Sequence, residues 1–333
     1  CIKSKKASMS EYKIRIFTKG NELPQLHCDN FFHSTELFHI VEKSQGQRPF
    51  MAVAFTESGD VVAHMLAFIR YRKTWLPPFV YSQGRIYGEG EYDDDTDKEL
   101  LFSLMLHEIT RKLRRRLCLY IEFSDLSMKM FGYKYFRKEN YFPVNWQEVH
   151  NSLHSLPPIE RLSEKMRERI RKSYRAGVET REAKTDKEVH SFYKLMHGFY
   201  RLKLRRIIPD ENHVRQLHDS DNGRIFITLF KGKVIGGCVC VFSNGNSYLW
   251  YLASKRKRYA LLHPNLMTVW QAIYWSWKHD YAHINFLDVG LPFHKNPFRE
   301  FILSFGGKPV GKYRWFRINI PWVNTLLGYL YRE

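Results

Sequence analysis

One carboxylate closes an apolar run in the last third of the chain. Ala282–Val289 carries the stretch Ile284-Asn285-Phe286-Leu287-Asp288-Val289. Apolar neighbours predict burial of Asp288, and desolvation raises a carboxyl pKa toward the range of a working base. Such a group acts as a general base or orients one. The alternative is an aspartate that caps the turn before Gly290. His294 follows in the next loop, and its side chain titrates where proton relay is useful. Against it stand 15 histidines in all, which makes an ordinary surface role the competing reading. Tyr251, on the strand-like run Tyr248–Ala253, is a phenol able to protonate a leaving group. It reads equally as a core or rim tyrosine.

Cations gather just beyond that run. Lys255, Arg256, Lys257 and Arg258 are consecutive, and Pro264 opens a helix soon after. Helix N-termini favour anions, and four cations beside one suit a phosphate group. A solvated basic loop is the alternative. Arg205 and Arg206, ahead of Pro209, have the fork that grips carboxylate or phosphate, or are plain surface arginines. The formal net charge of +19 points the same way, toward a polyanionic partner: nucleic acid, a phosphorylated donor, an acidic carrier protein or an anionic membrane surface.

These groups need elements to hold them, and the chain reads as alternating strands and helices. Phe50–Thr56 and Val61–Tyr71 form a hairpin across Glu57-Ser58-Gly59-Asp60. Leu100–Leu117 has helical apolar spacing, and Cys118–Phe123 reads as a buried strand. The second half repeats the order with strands Arg224–Phe230, Val234–Phe242 and Tyr248–Ala253. A helix over Pro264–His279 and a strand over Ala282–Val289 follow. What repeats is the order of elements, not residue identity. The fold class is α/β with a mixed sheet. The length of 333 residues suits two domains. Gln147–Pro158, rich in Asn, Ser and Pro, reads as connecting chain. The expected division is a domain over 9–147, a linker over 148–160 and a domain over 161–333, the last holding the site. A basic helix over Glu160–Ala176 and another over Lys187–Leu204 open the second domain.

Some classes are disfavoured. Cys1, Cys28, Cys118, Cys238 and Cys240 follow no zinc spacing and no disulfide framework, so no metal is expected. Cys238 and Cys240 share one side of an apolar strand and read as buried. No run of about 18 apolar residues suggests a spanning helix. Residues 1–8 read as a polar, basic lead-in and Met9 as a start, giving an expectation of a soluble cytoplasmic protein.

From residue 161 onward the chain resembles the Fem-like branch, and a related acetyltransferase branch, of the GNAT superfamily. The residues carrying the resemblance run in order. They are Arg169-Ile170-Arg171-Lys172-Ser173-Tyr174-Arg175-Ala176-Gly177-Val178, Phe192-Tyr193-x-Leu195, Arg205, Arg206 and Pro209. Next come Gly236-Gly237, Tyr248–Ser254, Pro264-x-Leu266 with Trp270, Leu287-Asp288-Val289-Gly290, and Phe301 to Phe305-Gly306-Gly307. The first half matches more loosely, through Phe32-His33-Ser34 and its hairpin.

The resemblance implies two tandem GNAT-like domains and transfer of an acyl or aminoacyl group to an amine acceptor. It places a donor arm against Leu249 to Ser254, including Leu249, Ala253 and Ser254. Lys255–Arg258 then meet the donor's negative end, and Arg205 and Arg206 lie near the acceptor. Two departures stand out. The place of the glycine-rich pyrophosphate loop reads Lys255-Arg256-Lys257-Arg258-Tyr259-Ala260, without glycine, and Ile302 stands where a lysine often follows the phenylalanine matched by Phe301. The leading expectation is an N-acyltransferase using an acyl-CoA or acyl carrier protein thioester. The second is a transferase using aminoacyl-tRNA, ranked lower because one helix after Ala176 leaves no room for the family's long helical arm. The third is a non-catalytic GNAT-like protein on nucleic acid or an anionic membrane. The aromatic segment Trp322–Tyr331 reads as a docked terminal helix or a peripheral membrane contact.

Overall fold

The computed structural model describes residues 12–73, 80–127, 129–201 and 207–331. It divides into two compact units, residues 1–145 with 312–333, and residues 146–311. Among the described residues no helix is long and apolar enough to cross a membrane.

In the first unit the elements are β1 (Tyr12–Phe17), α1 (Thr35–Glu42), β2 (Gln47–Thr56), β3 (Val61–Lys73), β4 (Val80–Tyr87), β5 (Glu91–Tyr92), α2 (Lys98–Arg115), β6 (Tyr120–Ser124) and α3 (Tyr133–Lys138). Strand order is β1-β2-β3-β4-β6, with β5 against β3. The β2–β3 hairpin is the expected one. β4 runs parallel to β6 from Gln83↔Tyr120 to Tyr87↔Ser124. α2 shows why its sequence is helical. Asp97 caps it by accepting the Leu100 N–H at 3.0 Å, and Lys112, Arg114 and Arg115 sit in its last turn, where cations suit the helix dipole. Leu101, Phe102, Met105, Leu106, Ile109 and Leu113 are its buried stripe. Each such side chain contributes roughly 1.5–3 kcal/mol on burial.

The second unit begins within β7 (Phe142–Ser152) and continues through α4 (Glu164–Arg175), β8 (Val178–Glu182), α5 (Asp186–Tyr200), α6 (Glu211–Asp219), β9 (Gly223–Phe230), β10 (Lys233–Ser243), β11 (Asn246–Ser254), α7 (Pro264–Lys278), β12 (His283–Phe286) and α8 (Pro297–Leu303). Strand order is β7-β12-β11-β10-β9-β8. Both tight turns have two successive residues in the left-handed region, Lys231-Gly232 and Asn244-Gly245. That geometry matches the twist of a two-residue hairpin. Thr228 and Thr268 pair at 2.7 Å and Ser247 donates to Ser276 at 2.8 Å, so buried hydroxyls fasten α7 to the sheet. Cys238 and Cys240 are buried in this core.

The first unit receives its last strand from the far end of the chain, beyond the second unit. β13 (Lys308–Ile318), followed by α9 (Pro321–Leu330), runs antiparallel to β6 from Arg314↔Ser124 to Ile318↔Tyr120. β7 runs antiparallel to β12 from His283↔Ser152 to Phe286↔Val149. The segment expected as linker is therefore half strand. Its apolar content is thin, so its pairing rather than its composition makes it β. Two further differences concern the second half. β12 ends at Phe286, short of Val289. β8, α5 and α6 separate Ala176 from β9, where the sequence suggested a single helix.

Candidate active site

In the second unit β11 and β12 are parallel neighbours, but their register ends at Leu249↔Phe286. β11 continues to Ser254, still paired with β10 up to Gly236↔Ser254. The chain after β12 leans the other way, along β7. The Trp146 indole N–H donates to the Leu287 oxygen at 2.9 Å, the Gln147 N–H to the Gly290 oxygen at 3.1 Å, and the Asn296 amide to the Val289 oxygen at 2.7 Å. The bonds from Trp146 and Gln147 hold residues 287–290 to the β7 side, so two parallel strands part at their C-terminal ends. In open sheets that is where ligands bind. The Tyr200 hydroxyl donates to the Leu252 oxygen at 2.8 Å, so α5 closes part of the parted segment.

The equivalent strands of the first unit stay together. Past Tyr87↔Ser124 the Gly88 N–H still donates to the Ser124 oxygen at 2.8 Å. Buried charge fills that sheet face. Glu122 lies 3.0 Å from Arg85 and 2.9 Å from Arg314, and accepts the Gln83 amide at 2.6 Å. Removing one member of such a group leaves an uncompensated buried charge.

The residues picked out from sequence fall as follows. Leu249, Tyr251, Ala253 and Ser254 are buried on β11, and the Ser254 hydroxyl donates to Asn265 at the start of α7. Asp288 is half-buried just past the end of β12. His294 is exposed, and its backbone oxygen accepts the Arg299 guanidinium at 2.8 Å. Lys255, Arg256, Lys257 and Arg258 are all exposed on a turn closed by the Arg258 N–H on the Lys255 oxygen at 3.0 Å. α4 packs against the short helical turn that follows, with the Ser173 hydroxyl donating to the Leu262 oxygen at 3.1 Å. Burial, then the charge of Arg169, pulls the His263 pKa down. The basic helix and the basic turn are thus neighbours. Arg205 and Arg206 lie outside the described residues.

Sequence reasoning missed a polar row on the same sheet. His150 pairs with Asn285, and Asn285 with Tyr248, so the three side chains share a face. Glu148, two residues before His150, faces the same way. Glu148 is 2% exposed and meets His150 Nε2 at 3.0 Å. Burial first, then the Glu148 charge, pushes Tyr248 up to about 12, against a hydrogen bond with Asn285. A carboxylate that fixes one imidazole nitrogen leaves the other free to accept a proton. The only signal was the pattern Glu148-x-His150, hidden in a stretch read as linker.

Residues 161–295 match the acetyltransferase (GNAT) domain family. No curated protein matches the chain. Among solved structures it is similar to FemX, at 12% identity and TM-score 0.60, covering 93% of this chain and 96% of that one. It is similar to a tandem GNAT protein from the clavulanic acid biosynthesis pathway, at 9% identity and TM-score 0.59, covering 93% and 99%. It is also similar to L-PGS from Bacillus licheniformis, at 13% identity and TM-score 0.56, covering 89% and 93%. Residues 161–295 thus carry a match to an acetyltransferase domain, and the whole fold is similar to that of a tandem GNAT protein.

Proposed function

We propose that the protein transfers an acyl group from a thioester, acyl-CoA or acyl carrier protein, to an amine, in the unit formed by residues 146–311. The observation that carries this reading is the parting of β11 from β12 after Leu249↔Phe286, with no counterpart in the first unit's paired strands. The donor arm lies along Leu249–Ser254, and Lys255–Arg258 meet its negative end. The amine nitrogen attacks the thioester carbonyl, the C–N bond forms, and the C–S bond breaks. His150, oriented by Glu148, takes the amine proton. Asp288 orients the incoming amine. A tyrosine on β11, Tyr251, protonates the leaving sulfur, and Tyr248 with its raised pKa keeps its own proton at neutral pH. His294 lies in the loop bordering the acceptor side, with Arg205 and Arg206 as acceptor contacts.

Turnover is measured with acyl-CoA, acyl carrier protein and charged tRNA against a panel of amines. Transfer from a thioester that Asp288→Asn lowers supports the reading. Transfer from charged tRNA alone replaces the donor, and that second reading has its own support in the cationic surface shared by α4 and the Lys255–Arg258 turn. Absence of transfer from every donor refutes both.

The site of action we infer is a compartment where an anionic membrane is within reach. No residue of α9 is buried. Trp322 and Tyr329 are each 71% exposed, on one face with Leu326 and Leu330. A groove of about 510 Å³ at its start is lined by Arg111, Arg114, Arg115 and Ile320. Exposed aromatic and aliphatic side chains beside arginines suit a headgroup interface. Co-sedimentation with vesicles containing phosphatidylglycerol, lost in Trp322→Ser with Leu326→Ser, checks it.

A further inference from the structure

We propose that the first unit holds a divalent zinc-class cation on Cys28, His64 and Glu91. These residues are far apart in the sequence, and the fold gathers them. His64, on β3, and Glu91, on β5, are direct partners in the antiparallel register, so both side chains stand on one face. His64 Nε2 is 3.0 Å from Glu91 Oε2 and 3.9 Å from Cys28 Sγ. The three donor atoms lie within 4.8 Å of one another. With Zn–S near 2.3 Å and Zn–N or Zn–O near 2.0–2.2 Å, three corners of a tetrahedron around zinc lie about 3.3–3.7 Å apart, so side-chain shifts of about 1 Å would seat the ion.

The surroundings are built to hold this arrangement. Glu91 Oε1 accepts the N–H groups of Asp29 at 2.8 Å and Asn30 at 3.0 Å. Those two bonds turn Oε2 toward the histidine, and they seat the residue beside Cys28. Gly90 adopts φ +101°, and a Cβ there would lie 2.6 Å from the His64 oxygen. Glycine is therefore the residue that lets β5 approach this closely. The Gly90 N–H donates to His33 Nε2 at 3.1 Å, and His33 is fully buried. Orienting bonds of this kind around the donors are what metal sites carry outside their ligands.

Sulfur, nitrogen and carboxylate oxygen together select zinc over calcium or magnesium, which prefer oxygen alone. A thiolate and a carboxylate supply two negative charges for a divalent ion. Cys28 binds as thiolate and gives up its proton to solvent. Three protein donors leave a fourth position for water. Cys28 is half-buried, so the ion has a route in. The ion would staple residues 28–30 to the β3–β5 pair.

The test uses the full chain, stripped with chelator and then given zinc or cobalt(II). One tightly held zinc per chain is expected after dialysis, with a raised melting temperature. Cobalt should give the near-ultraviolet thiolate charge-transfer band. Cys28→Ser should abolish that band and weaken zinc by at least a hundredfold, since even losing an orienting partner costs about 10–100-fold. Glu91→Gln keeps the shape and should weaken zinc without removing the band, which separates ligand loss from misfolding. The proposal falls if the wild-type chain retains no zinc. It falls equally if Cys28→Ser, folded by circular dichroism, retains zinc unchanged.

Discussion

Trp315→Ala tests the return of β13 to the first unit. Trp315 sits on β13 yet is 2% exposed in the core of the first unit. Its ring stacks on Phe136 at 4.6 Å and 10° and meets Tyr133 edge-on at 5.0 Å. An aromatic side chain buries about 150–250 Å², worth roughly 4–6 kcal/mol at about 25 cal/mol per Å². Alanine retains part of that, and the lost ring pairs add about 1 kcal/mol. The net cost is about 3–5 kcal/mol, the range found for emptying an aromatic site. Domain stabilities are about 5–15 kcal/mol, so the loss is a large share. Thermal unfolding should shift down by roughly 6–20 °C at about 2–4 °C per kcal/mol. Hydrogen exchange read by mass spectrometry should show protection lost across residues 12–145 before residues 146–311. A cost under about 1 kcal/mol, or protection lost first in 146–311, would refute the assignment of β13 to the first unit's core.

Other perturbations address the chemistry and the surface. Glu148→Gln keeps the shape but not the charge, so the transfer rate should fall by roughly 10²–10⁴-fold with the donor KM little changed; equal loss in kcat and gain in KM would argue against a role in proton transfer. Replacing Lys255–Arg258 by alanines should raise the donor KM while sparing kcat, and the effect should shrink as salt rises; a pure kcat loss would contradict a binding role. Glu188 is held at about 2 by its bond to Arg181, against an ordinary value of 4.5. Its contribution is present above pH 4.5 and is lost as pH falls through about 2. The pair is part-exposed, so Glu188→Gln should cost no more than about 1 kcal/mol at pH 7, checked by urea unfolding at pH 7 and at pH 2.

The fold was legible where it rests on local pattern. The hairpins Phe50–Tyr71 and Arg224–Phe242 showed apolar runs and turn residues, α2 showed apolar residues at helical spacing, and α7 showed a proline at its start. The two-unit tandem plan followed from their repetition. What stayed hidden depends on pairing at a distance. Gln147–Pro158 looked like a linker because Asn151, Ser152, Pro157 and Pro158 are turn formers, whereas pairing at a distance, with β12 for residues 149–152, makes its first part a strand. Glu148 and His150 were lost with it. Cys28, His64 and Glu91 share no local spacing at all, and register between β3 and β5 brings two of them together. The parting of β11 from β12 is likewise set by side chains on β7, such as Trp146.

The returning strand also bears on how the chain is made. Until residues 312–318 leave the ribosome, β6 ends the first sheet with an open edge. Translation at roughly 5–20 residues per second leaves that edge waiting on the order of ten to thirty seconds while the second unit is synthesised. An uncovered strand invites pairing with other nascent chains. A polypeptide severed near residue 147 would deny the first half its closing strand, β13.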